Sequence, residues 1–126
     1  MRDAFPTLLH ELFHAFLEKR RNLIEEAVKG VEGLDYMTLN EGLAYALSPG
    51  IFHTEKPGDD PLAADVKRFE AAGSTLKDYY YRVNRFGLEL RPLLKAALDR
   101  KDGTLDEVIP KAVGAWRTLA DKAKKP

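Results

Sequence analysis

The chain contains no cysteine, so no disulfide framework and no cysteine-ligated zinc can support it. It has no net charge either, with 20 basic and 20 acidic side chains in 126 residues. That balance gives no electrostatic case for nucleic acid or an anionic membrane as partner. No apolar run approaches membrane-spanning length, and the N-terminus lacks the apolar core of a signal peptide. Together with the missing cysteines, this sets the expectation of a cytoplasmic protein. Segments alternating with period two are also missing, as are internal repeats, which removes the usual signatures of strands and solenoids.

What remains is a chain of one-domain length, residues 1–126, with 44% apolar residues, enough to bury a real core. Its periodicity is helical throughout, and the expected class is all-α, with about five helices. The first should begin near Asp3 and Pro6 and continue through Leu23, Ile24 and Val28 to the glycines at 30 and 33. A second should start at Thr38 or Asn40 and stop at Ser48-Pro49-Gly50. Residues 48–60 have loop composition. Asp60-Pro61 opens a third helix, Ser74 caps a fourth that Pro92 should kink, and a fifth follows the Asp102-Gly103-Thr104 turn. The basic run Glu18-Lys19-Arg20-Arg21 and the tail Lys122–Lys125 fit solvated surfaces.

The first helix carries His10-Glu11-Leu12-Phe13-His14. Residues i and i+4 share a helix face, so His10 and His14 can grip one metal ion while Glu11 stands beside them. There a carboxylate can take a proton from a metal-bound water. The bland reading is two half-buried histidines on an amphipathic helix with Glu11 in solvent. A third ligand separates the two readings, and Glu41 in Leu39-Asn40-Glu41-Gly42-Leu43-Ala44 is the candidate. A first helix running from His14 to Lys29 climbs about 22 Å, and residues 30–37 can span about 26 Å, so Glu41 can return alongside the histidines.

His10-Glu11-x-x-His14 followed by Leu39-Asn40-Glu41-Gly42-Leu43-Ala44 resembles the gluzincin zinc metallopeptidases, nearest to their aminopeptidase branch. The resemblance covers roughly residues 6–47. It implies one zinc ion held by His10, His14 and Glu41, Glu11 as general base, and a peptide or protein as substrate. The chain departs from the aminopeptidase pattern in a longer spacer between His14 and Glu41. It also has neither the upstream β-sheet that aligns substrate nor the Gly-x-Met-Glu-Asn segment that grips the substrate amine. The expected architecture is therefore a helical domain built on a zincin-type active-site helix without that sheet. A motif this near the first residue also fits a piece of a longer protein.

Such chemistry needs a donor for the developing oxyanion. Tyr80, Tyr81 and His53 are the candidates. On a helical wheel Tyr79 and Tyr80 fall with Leu76, Val83 and Phe86, the pattern of core residues, whereas Tyr81 falls with the polar Asp78 and Arg85. His53 lies in the loop that follows the Glu41 helix. Asn40 and Tyr45 flank Glu41, placed either to hold a ligand or simply to pack. Three readings follow: a zinc peptidase, a non-catalytic helical module with a structural or vestigial zinc site, and a metal-free bundle with a coincidental motif.

Overall fold

A computed structural model describes residues 4–56, 58–100 and 102–124. Six α-helices account for most of them: α1 (Ala4–Glu18), α2 (Arg21–Val28), α3 (Tyr36–Tyr45), α4 (Pro61–Ala71), α5 (Tyr79–Asp99) and α6 (Leu105–Lys124). Among the described residues there is no strand, so the class is all-α. None of these helices is long and apolar enough to cross a membrane.

The first expected helix is two. It breaks at Lys19-Arg20, where the Arg20 amide turns back to the Leu17 carbonyl at 2.8 Å. No glycine or proline marks the break. Tertiary contacts hold it instead: the Arg20 guanidinium lies 3.9 Å from the centre of the Phe16 ring and pairs with Asp106 on α6. The turn lets α2 bury Ile24 and Val28 against α3 and α6, which a straight continuation of α1 would carry away from the core. The expected cap at Asp3 lies outside the described residues.

Helix α3 starts earlier than its sequence suggests, because the Asp35 carboxylate accepts the Thr38 amide at 2.8 Å and caps it. Beyond Tyr45 the chain does not enter a loop at once. It continues as a wide π-type segment, Ala46–Ile51, interrupted at Ser48, whose backbone is extended (φ −148°, ψ 114°). Asp60 caps α4 as expected, accepting the Ala63 amide at 3.1 Å, and pairs bidentately with Arg91 of α5 at 2.8 Å on each arm. Helix α5 begins after Asp78, not at Ser74, and runs through Pro92 to Asp99.

Helix α5 is the axis of the domain, touching α3, the π-type segment, α4 and α6. Its inward residues Phe86, Leu90 and Leu94 join Leu39 and Leu43 of α3 and Val108, Ile109, Ala112 and Trp116 of α6 in one core. Each fully buried side chain of this size contributes about 1.5–3 kcal/mol relative to exposure. Trp116 is pinned at both ends, its ring 5.2 Å edge-on from Phe86 and its Nε1–H donating to the Glu32 carbonyl at 2.9 Å. Helix α1 caps one side of α3 and turns Leu8, Leu12 and Phe16, one turn apart, outward.

The crossing of α3 and α5 is unusually close because two glycines face it. A Cβ on Gly42 would sit 2.8 Å from a Phe86 ring carbon, and one on Gly87 3.0 Å from the Gly42 carbonyl oxygen and 3.3 Å from the Ala46 nitrogen. Backbone cannot step aside as a side-chain tip can, so Gly87→Ala should destabilise by about 1–3 kcal/mol in urea unfolding. Gly114 on α6 has nothing within 4 Å of its added Cβ, and Gly114→Ala should stabilise by about 0.5–1 kcal/mol. Equal effects of the two substitutions would show that the crossing is not tight.

Candidate metal centre

The close α3–α5 packing orients α3 so that Glu41 points across to α1, where His10 and His14 wait on one face. One ligand atom from each of the three residues lies within 4.8 Å of the others. The two Nε2 atoms are 3.1 Å apart, and the Glu41 carboxylate approaches His14 Nε2 at 3.0 Å and His10 Nε2 at 3.7 Å. All three side chains are about four-fifths buried, with an edge open to solvent. Helical spacing alone brings the histidines together; the turns at 19–20 and 29–35 bring the carboxylate back.

Each histidine is held from behind by its other ring nitrogen. His10 Nδ1–H donates to the Ser48 carbonyl at 3.0 Å, and His14 Nδ1 meets the side-chain oxygen of Asn40. A backbone carbonyl can only accept, so the His10 proton belongs on Nδ1 and its Nε2 lone pair faces inward. With Nδ1 of His14 likewise turned to oxygen, two neutral imidazoles and a carboxylate would aim three acceptors at one point with no donor among them. That arrangement calls for a cation or a proton. In the metal-free protein a proton serves. Burial pushes the His10 pKa down, but the Glu41 carboxylate and Ser48 carbonyl more than offset this and raise it above 6.5. Hydrogen bonding to His10 first, then the charges of both histidines, hold Glu41 below the usual carboxylate range against its burial.

No protein family, curated protein or solved structure matches the chain. The site is therefore read from its own geometry. Two imidazoles and one carboxylate, with a side left open, are a donor set that suits zinc in a four-coordinate site.

The remaining candidates fall in different places. Glu11 is exposed on α1, beside the pair of histidines and close enough for its charge to bear on His10. Asn40 is buried and holds His14. The Tyr45 ring meets His10 edge-on at 4.9 Å, and burial followed by the Glu41 charge raises its hydroxyl pKa. Tyr80 is exposed, with its ring against Tyr79, whose own pKa is raised by burial and then by Glu41.

Tyr81 reverses the wheel expectation. It is the buried member of the three, and its hydroxyl donates to Glu70 at 2.7 Å. Burial and that carboxylate push its pKa up to about 12. The reason is packing: α4 covers the Tyr81 side of α5, while Tyr79 and Tyr80 at the first turn extend past their neighbours. His53 also stays out of the cluster. Its Nδ1 accepts the Glu55 amide at 3.2 Å in its own turn.

Three contributors were missed from sequence. The Ser48 carbonyl is a backbone atom and leaves no residue-type signal. Tyr36 and Glu18 join the back of the site through Asn40, and helical spacing offered a clue to both. Tyr36 precedes Asn40 by four residues, and Glu18 follows His14 by four.

The raised His10 pKa has a sign that can be checked. A pKa raised on folding stabilises the metal-free protein fully below the unfolded value of 6.5, and that contribution is lost as pH rises through the folded value. Glu41→Gln removes the carboxylate largely responsible, so NMR titration of the His10 ring should show its pKa fall toward or below 6.5. An unchanged titration would mean that Glu41 does not face His10 in solution.

Proposed function

We propose that this chain is a gluzincin-like zinc metallopeptidase domain, with His10, His14 and Glu41 as the metal ligands and Glu11 as general base. The observation that supports the reading most is the convergence of three acceptor atoms within 4.8 Å, with both histidines held through their outer nitrogens. Zinc, once bound, supplies a water whose pKa is lowered toward about 7 and polarises the scissile carbonyl.

The chain's own side chains do the rest. Glu11 stands on the solvent side of α1, where it takes a proton from the attacking water and returns it to the leaving amine. The open edge of the site, beside Glu11, is where a peptide approaches. Tyr45, whose ring packs edge-on against His10 at 4.9 Å, is the phenol nearest to hand as an oxyanion donor.

One observation favours a second reading, a helical module whose zinc is structural. Grooves of about 950 Å³ and 330 Å³ lie on other faces and are lined by none of the three ligands. Neither groove would seat a peptide against the metal ligands.

Elemental analysis after zinc loading, paired with hydrolysis of a broad peptide library, tests both readings. Wild type should bind one zinc per chain, and His14→Ala should lose zinc and hydrolysis together. Glu11→Gln should keep its zinc and lose hydrolysis by roughly 10²–10⁴-fold. Bound zinc without Glu11-dependent hydrolysis would replace the peptidase with the structural module. A wild type that takes up no zinc would overturn both.

A further inference from the structure

A chain of hydrogen bonds runs away from the candidate metal centre to the protein surface, and every link in it has a forced direction. It begins at Glu18, one turn beyond His14 on α1. The Tyr36 hydroxyl and Arg21 both donate to its carboxylate, at 2.7 Å and 3.1 Å. Those two contacts hold its pKa below the usual range, so Glu18 is an acceptor only.

A phenol has a single proton. With that proton directed to Glu18, the Tyr36 oxygen can only accept from its other neighbour, Asn40, at 2.9 Å. The Asn40 atom facing Tyr36 must then be the amide nitrogen, and its oxygen must face His14. An oxygen there accepts only from a protonated Nδ1, which leaves His14 Nε2 as the bare nitrogen facing Glu41 and His10. An asparagine amide is otherwise ambivalent. Turned over, it would offer N–H to His14, draw the ring proton to Nε2 and block that nitrogen as a ligand.

We propose that Tyr36 and Glu18 are positioning residues that lock the Asn40 amide and, through it, set the His14 tautomer that presents Nε2 for coordination. This rests on the metal-centre reading for its purpose, though not for its geometry. The Arg21 guanidinium lies 4.6 Å from the centre of the Tyr36 ring and also pairs with Glu25 at 2.7 Å on the side away from the relay. Glu25 itself touches no member of the relay except Arg21, so it offers a matched control.

The test reads the tautomer directly, by long-range ¹H–¹⁵N NMR of the metal-free protein at alkaline pH, alongside zinc affinity by chelator competition. Wild type should show His14 protonated at Nδ1. Tyr36→Phe and Glu18→Ala should each bring in the Nε2–H form and weaken zinc binding by about 10-fold or more. Glu25→Ala should do neither. Asn40→Asp presents an acceptor in either orientation, so Tyr36→Phe in that background should leave His14 protonated at Nδ1. A merely structural Tyr36 would show no such rescue. His14 found as Nε2–H in wild type, or a tautomer indifferent to both Tyr36→Phe and Glu18→Ala, would overturn the proposal. A wild type with His14 protonated at Nδ1 but no zinc affinity would support the relay and overturn the metal-centre reading alone.

Discussion

Three electron-rich atoms pointed at one another across a helix interface are an unstable arrangement unless something positive sits among them. The α1–α3 contact is organised around that constraint. Two histidines on α1 and a carboxylate on α3 meet at 3.0–3.7 Å, and the surrounding groups reinforce the meeting. Ser48 and Asn40 draw the outer ring nitrogens backward. The glycine pair at the α3–α5 crossing sets how deep Glu41 lies. A fold seeking stability alone could place apolar side chains here and avoid the desolvation of a carboxylate and two imidazoles.

Much of this was legible in the residues, but unevenly. The pairing of His10 with His14 follows from helical pitch and needs no tertiary information. The return of Glu41 required only that residues 30–37 be long enough, and the break at Lys19-Arg20 made the path shorter than a straight helix would have required. That break was invisible because Phe16 and Asp106 hold Arg20 from outside the local sequence. The same limit explains the tyrosines of α5. A wheel assigns a face by averaging over a whole helix, whereas burial in the first turn depends on which neighbour extends that far. At α5 the neighbour is α4, and it covers Tyr81.

The helix starts show how local chemistry can mislead by a few residues. Thr38 and Asn40 are good caps by type, but Asp35 takes the role, and both others are needed elsewhere. Thr38 is buried and bonded to Arg82, and Asn40 supports His14. Side chains with capping chemistry are the same ones that serve as hydrogen-bond partners inside a structure. At α4 no such competition exists, and Asp60 caps where its sequence says, with Arg91 reinforcing it.

Helix α1 touches the rest of the domain on one side only, while Leu8, Leu12 and Phe16 face outward. A cation bound among His10, His14 and Glu41 would therefore act as a clasp between the first helix and the body of the domain. Stripping the cation would lower the cost of detaching α1 before it lowered the cost of unfolding α5 and α6, which contribute none of the three candidate ligands. Amide exchange in α1 would then track metal occupancy, whereas exchange in the central helices would stay indifferent to it. The segment that carries both histidines would in that sense also be the most readily detached edge of the molecule.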